Sequence, residues 1–282
     1  MDVSALPSLT LIGPGRAGRA FARTWLLSGG RVDDVLARTE ASARAGAAAI
    51  GAGRPGALAA SSFASAVLVL AVSDDAVSEA ARVAAGRGTC GLAFHLSGVL
   101  PAEVLAPLRR QGTAVGSMHP LRAFTGASDE TLAGAFVAVE GDDAACDSAA
   151  GFVRLLGAHA HRIPPGAKAL YHAGATLAAG GAVALVAAAA RAWSLAGIGE
   201  EDSRSALAAL AARAVAAAEL YPFDEALTGP IARRDLGTVR SHRDALAGHP
   251  ELLRLYALLA EETLARTPGR GREDELRAIW AC

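Results

Sequence analysis

Four groups of residues in this chain have types and spacings suited to chemistry. Near the amino end, Gly13-Pro14-Gly15-Arg16-Ala17-Gly18 puts glycines at the first, third and sixth positions of a turn. In such a turn the first glycine lets the chain reverse, the second lets backbone approach a pyrophosphate, and the third lets a helix pack on a strand. The phosphates then rest on the N–H groups that open the helix. His95, Ser97 and His119 each follow a short apolar run. There they can orient or protonate a ligand, although a histidine is as often a satisfied structural group. Lys168 and His172 stand one helical turn apart, with Thr176 a turn beyond. A lysine so placed can give a proton to a carbonyl oxygen as hydride reaches the carbon, or hold a carboxylate; a surface lysine beside an interface histidine fits the same spacing. The fourth group, Thr228-Gly229-Pro230-Ile231-Ala232-Arg233-Arg234-Asp235, offers a hydroxyl, two guanidinium groups and a carboxylate. It suits an acidic substrate, with Asp235 also able to cap the helix that follows.

These groups need strand ends and helix starts to hold them. Leu9 to Ile12 reads as a strand, followed by the glycine turn and an apolar-periodic helix to Leu27. Asp34 to Arg38 reads as the second strand, at whose end NAD-binding proteins carry an acid for the ribose 2'-hydroxyl. Here Arg38 and Thr39 occupy that place, a cation and a hydroxyl suited to a 2'-phosphate, with Arg16 and Arg44 adding positive field. The expected cofactor is therefore NADP(H); NAD with Glu40 on the ribose is the alternative. Ser65 to Val72 is almost wholly apolar, as a parallel strand covered on both faces should be, and ends in Ser73-Asp74-Asp75. Ser73 or Asp74 can cap the helix beginning near Ala76, and for Asp74 capping is the expected role. Gly91 to His95, Thr113 to Met118, Ala135 to Val139 and Ala158 to Ile163 complete the strands, with a helix from Ala144 to Leu156. This alternation predicts an α/β fold, an N-terminal Rossmann-like doubly wound sheet over residues 1–164, with His95, Ser97 and His119 on its ligand rim.

Pro164-Pro165-Gly166 breaks the pattern, and residues 165–282 read as an all-α domain. Its helices are expected from Ala167 to Leu195, from an N-cap at Ser203 to Leu220, from Asp235 to Gly248, and from Pro250 onward, with a loop from Thr267 to Glu275. Ala173 to Ala190 carries no charge and approaches the length of a membrane span. Its Ala/Gly composition and the flanking Lys168, His172 and Arg191 favour instead a helix buried on all sides in the helical domain or at a subunit interface. A length of 282 residues, 52% of them hydrophobic, suits two domains, and a net charge of −1 without a basic stripe argues against nucleic acid. Cys90, Cys146 and Cys282 have no metal-ligand spacing and fit a reducing compartment. Met1 to Thr10 has neither a basic n-region nor an apolar h-region, so a cytoplasmic protein is expected. No GxSxG elbow, HExxH or Walker A lysine competes with the glycine turn.

Over nearly its whole length the chain resembles bacterial proteins that join a Rossmann-like NADP-binding domain to the domain catalogued as DUF2520. The matching stretches are GPGRAG, AVSDDAV, HLSGVLPAEVLAPL, GSMHPLRAF, KALYHAGA and ALTGPIARRDLGTVRSHRDAL. That group is similar to 6-phosphogluconate dehydrogenase-like, pyrroline-5-carboxylate reductase-like and ketopantoate reductase-like enzymes, whose helical domains often dimerise. The resemblance implies that Gly13, Gly15, Gly18 and Arg38 meet the cofactor, with Ser73 and Asp74 on the nicotinamide side and His95, Ser97 and His119 on the rim. It matches Lys168 to the acid-catalyst lysine of hydroxyacid dehydrogenases, although Tyr171-His172 stands where an asparagine is expected, and Gly180 replaces another. The leading expectation is an NADP-dependent reductase acting on the CH–OH/carbonyl couple of a small oxo acid, with ketopantoate preferred. In it Lys168 protonates, His172 or His119 orients, and His95, Thr228 or Arg233 binds substrate. The alternatives are imine reduction of the pyrroline-5-carboxylate type and a non-catalytic NADP-binding regulatory dimer. A homodimer, no metal, no nucleic acid and no membrane are expected throughout.

Overall fold

The apolar runs of the first half become strands because both faces of each are covered. They are β1 (Ser8–Ile12), β2 (Arg31–Ala37), β3 (Arg54–Ala57), β4 (Val67–Leu70), β5 (Leu92–His95), β6 (Ala114–Pro120), β7 (Phe136–Gly141) and β8 (His159–Arg162). In this computed structural model, which describes residues 5–280, they form one sheet in the order β3-β2-β1-β4-β5-β6-β7-β8. Met1 to Ser4, part of the segment read for a leader, and Cys282 lie outside the described residues. The first six strands are parallel, and the chain order reverses direction between β1 and β4. Such a reversal opens a crevice at the carboxyl ends of the strands, where open α/β sheets bind ligands.

Alternation along β4 shows how the sheet is filled. Val67 and Val69 join a core with Phe21, Trp25, Phe94 and Phe152, whereas Leu68 and Leu70 join the opposite core with Val77, Ala81, Leu105 and Leu108. Helices α1 (Arg16–Leu27), α2 (Glu40–Ile50), α3 (Asp74–Ala85), α4 (Ala106–Arg109), α5 (Asp143–Leu155) and α6 (Lys168–Thr176) belong to this unit. Trp25 lies between Phe21 and Phe152, at 5.8 and 5.3 Å between ring centroids, and its indole N–H donates to the Pro7 carbonyl at 3.0 Å.

Two features of the sheet differ from the sequence expectation. No helix separates β6 from β7, so the chain returns directly and the two strands pair antiparallel, Ser117 opposite Glu140. Strand β3 has the composition Arg-Pro-Gly-Ala, which carries no strand signature; it is tolerated because it lies at the sheet edge, where a proline need not donate on its outer side. The compact unit also extends to Thr176 rather than to Pro164, since α6 anchors itself on the strand ends through Lys168 and Tyr171.

The second unit, residues 177–282, is helical. After a π-helical turn at Leu177–Gly181 come α7 (Ala182–Leu195), α8 (Glu200–Leu220), α9 (Phe223–Ala226), α10 (Leu236–Leu246), α11 (Pro250–Arg266) and α12 (Glu273–Trp280). Helix α8 begins before Ser203, because Glu200, Glu201 and Asp202 stabilise its positive end; the Ser203 hydroxyl donates back to the Gly199 carbonyl at 2.7 Å. The expected loop ending at Glu275 gives way to α12, whose Leu276 and Ile279 are buried with Ile231, Leu236, Val239, Ala260 and Leu264. Lys168–Leu195 is long and apolar enough to cross a membrane by length and composition, with mean hydropathy 1.8. Contrary to one half of the expectation it is not buried on all sides within the chain: Leu177, Val183, Leu185 and Leu195 are exposed, as are Leu210, Val215 and Leu220 on α8.

Candidate active site

The glycine turn is built as a phosphate seat requires. Gly13 has φ +92°, and a Cβ there would come within 2.7 Å of the Ala71 carbonyl oxygen, so only glycine fits. At Gly18 a Cβ would stand 2.3 Å from the Gly13 oxygen, which is the close approach of α1 to β1. Gly15 differs: a Cβ would meet nothing within 4 Å. It is the N-cap residue of α1, which has no side-chain cap and no acid in its first turn. The N–H groups that open α1, next to Arg16 and Ala17, thus have no side-chain cap at the positive end of a helix dipole. The residues fit a dinucleotide pyrophosphate.

At the end of β2, Arg38 is exposed and has no hydrogen bond or ion pair among the described residues, as is true of Arg16. Glu40, the candidate for a ribose hydroxyl, instead holds Arg44 at 2.6 Å, and Thr39 Oγ1 caps α2 by accepting from Ser42 N at 3.2 Å. The cation at the strand end is therefore free while the neighbouring acid is engaged. At the end of β4, Ser73 rather than Asp74 is the N-cap residue of α3, and its side chain makes no capping bond. Asp74 occupies the first turn, and its charge reaches Lys168, His95 and His119.

Lys168 is only 2% exposed. Its ammonium donates to the Ser97 carbonyl at 2.5 Å and to Ser117 Oγ at 3.0 Å, two neutral oxygens, leaving one of its three donors. Burial pulls its pKa down to about 8, against the opposing fields of Glu140 and Asp74. Glu140 is itself buried and accepts from Ala102 N at 2.9 Å. A lysine titrating near neutrality is a proton donor matched to working pH. Ser97 is placed by its own turn, its Oγ accepting from Val99 N and Leu100 N at 3.2 and 3.0 Å.

His95 takes a different role from the expected one. It is fully buried; Nδ1 accepts from Ser97 N at 3.2 Å and Nε2 reaches the Pro101 carbonyl at 3.2 Å. Both ring nitrogens have partners, so His95 supports the loop that presents Ser97. Burial holds its pKa at about 4, a neutral ring.

His119 and His172 do converge. Their rings lie 5.8 Å apart, and both press on Gly98, where a Cβ would come 2.9 Å from His119 Nε2 and 2.4 Å from His172 Cδ2. His119 Nδ1 is 2.8 Å from the Tyr171 hydroxyl. Ser117, Gly98 and Tyr171 therefore belong to the same cluster as the expected Lys168, Ser97, His119 and His172. Ser117 was open to inference, since a strand places it on the same face as His119 two residues on. Glu140 was not, because its position depends on the antiparallel return of β7.

Thr228 and Arg233 belong to the second unit. Both are exposed, and the Arg233 side chain has no hydrogen bond among the described residues. Arg234 at φ 60° is buried and donates to the carbonyls of Ile231, Thr267 and Gly271 and to Glu273. Asp235 caps α10, accepting from Thr238 N at 3.1 Å. One arginine of this element is thus structural and the other is presented to solvent.

Residues 135–263 match the family model described as domain of unknown function DUF2520. No curated protein sequence matches the chain. Among solved structures, a Thermotoga maritima protein is 22% identical with a TM-score of 0.76, covering 92% of this chain and 98% of its own. A Bacteroides fragilis protein described as a candidate NADP oxidoreductase is 21% identical with a TM-score of 0.71, covering 93% and 99%. An Aspergillus terreus reductive aminase, solved with NADPH and ethyl-5-oxohexanoate, is 19% identical with a TM-score of 0.59, covering 98% and 100%. The sheet order is Rossmann-like, and residues 135–263, just under half of the chain, are similar to the DUF2520 model.

Proposed function

We propose that this protein is a cytoplasmic, homodimeric NADPH-dependent reductase of a small 2-oxo acid, of the ketopantoate reductase type. The observation that carries the reading is a buried lysine held by two neutral oxygens at the strand-end rim of a sheet whose glycine turn is open at Gly15; burial lowers the pKa of that lysine to about 8. Gly13, Gly15, Arg16, Ala17 and Gly18 would hold the diphosphate, Arg38 and Thr39 the 2'-phosphate, and Ser73, Asp74 and Ser97 the nicotinamide side. Bound NADPH supplies the hydride. Ser97 and Ser117 aim the Lys168 ammonium, which gives a proton to the carbonyl oxygen as charge develops there. His172 borders the same space.

The exposed apolar residues of α7 and α8, among them Val183, Leu185, Leu210 and Val215, favour a second copy of the chain as their cover, since apolar patches are seldom left in water. Sedimentation at micromolar protein should give a dimer that Val183→Glu converts to monomer; a wild-type monomer, or partition into lipid vesicles, would contradict this part.

A second reading, imine reduction, draws support from the likeness to the reductive aminase. An iminium substrate already carries its proton, so a proton-donating lysine is dispensable there. The test is NADPH consumption against a panel of 2-oxo acids beside cyclic imines, run in parallel with NADH. Turnover of oxo acids, faster with NADPH, is expected; turnover of imines alone favours the second reading, and tight binding without any oxidation favours a regulatory dimer.

A further inference from the structure

Tyr171 has no part in the scheme above, yet its hydroxyl lies 2.8 Å from His119 Nδ1, with the two rings edge to face at 5.6 Å between centroids. Phe136 stacks on Tyr171 at 6.3 Å and 20°, and His161 stacks on Phe136 at 4.0 Å and 6°, so the tyrosine ring is braced on its far side. The other nitrogen of His119, Nε2, has no hydrogen-bond partner among the described residues and lies against Gly98, whose missing side chain leaves it open. The peptide next to Gly98 is the one whose Ser97 carbonyl holds Lys168. Lys168 and His119 thus meet the same two-residue stretch from different elements, α6 and the end of β6.

We propose that Tyr171 is a positioning residue that fixes the tautomer of His119, so that a neutral imidazole presents Nε2–H, beside the Lys168 ammonium, to the oxygen being reduced. The proposal rests on the reductase reading and deepens it. A tyrosine hydroxyl that donates to Nδ1 forces the proton of a neutral ring onto Nε2. The ring is neutral at working pH: burial and the charges of Lys168 and His172 hold its pKa at about 4, and Asp74 only partly opposes them. Burial also raises the Tyr171 pKa, so the phenol keeps its proton. His119 is then a hydrogen-bond donor to developing negative charge and takes no proton from solvent or substrate. Donors aimed at that charge matter more in the transition state than in the ground state.

The test has two arms. In imidazole nitrogen NMR of the full chain, with His119 assigned through His119→Gln, the wild type should show Nδ1 unprotonated and Nε2 protonated, and Tyr171→Phe should show a mixture of tautomers. A wild-type ring protonated on Nδ1 overturns the proposal, and this arm is readable even if no substrate is turned over. In the kinetic arm, Tyr171→Phe should lower kcat by about tenfold with KM unchanged, a part of the 10²–10³ lost when such a donor is deleted. A glutamine at 119 offers an N–H donor that needs no tautomer, so Tyr171→Phe should have little further effect in the His119→Gln background. Equal losses in both backgrounds would make Tyr171 merely structural.

Discussion

Replacing Lys168 by methionine should separate activity from stability, because the buried ammonium strains the fold while serving the reaction. The pKa falls from the ordinary 10.5 to about 8, so holding the charged form in place costs about 3 kcal/mol. Between those two values the unfolded chain binds more protons than the folded one, so stability rises with pH across that window; below about 8 the full penalty is present. Methionine removes the penalty but leaves the Ser97 carbonyl and the Ser117 hydroxyl without their donor, a loss of about 1–3 kcal/mol. The two effects nearly cancel, so Tm at neutral pH should change little, and the rise in stability above pH 8 should vanish. Turnover should fall about 10²–10⁴-fold, or about 3–5 kcal/mol on the barrier, with NADPH affinity intact. The assay is the initial rate of NADPH oxidation with a 2-oxo acid as a function of pH, beside thermal melts of both proteins. Wild-type turnover should decline above about pH 8 as Lys168 loses its proton, and the variant should lack that limb. Turnover of the variant within about threefold of wild type would refute the assignment of Lys168 as proton donor.

Two further perturbations probe the supports of the site. Arg38→Asp should cost at least about tenfold in NADPH affinity and leave NADH affinity equal or better, because a charge-assisted bond to a 2'-phosphate is worth about 1.5–3 kcal/mol; isothermal titration of both cofactors decides it. Arg234→Met strands Glu273 and several carbonyls in the second unit and should destabilise the chain by about 3–5 kcal/mol in urea, whereas Arg233→Met should leave stability unchanged.

Much of the first unit was legible in the chain itself. The run SAVLVLAV could only be a strand covered on both faces, and the glycine spacing implied its own turn, because each effect is local. Strand β3 was not legible, since Arg-Pro-Gly-Ala is a strand only by virtue of its neighbour β2. At the site, Lys168 and His172 were found by helical spacing, but the buried setting of Lys168 against Ser97, just past β5, and Ser117, on β6, depends on contacts far apart in sequence. The separation of His119 from His95 was equally invisible. Both follow apolar runs, yet one ring is saturated by Ser97 and Pro101 and the other keeps Nε2 free. Of the two cap candidates, Ser73 and Asp74, the structure puts Ser73 at the N-cap and Asp74 in the first turn, where an acid serves the dipole as readily.

The proposed cofactor site puts a dinucleotide diphosphate against Gly15. The most direct measurement is the titration of NADPH into the wild type and into Gly15→Val, with melting curves of each. A Cβ at 15 meets no non-neighbouring atom of the chain within 4 Å, whereas one at 18 collides with the Gly13 carbonyl. The expected result is saturable NADPH binding by the wild type and a Gly15→Val protein that melts at the wild-type temperature but binds at least about tenfold more weakly. A Gly15→Val protein of unchanged melting temperature and unchanged NADPH affinity would contradict it.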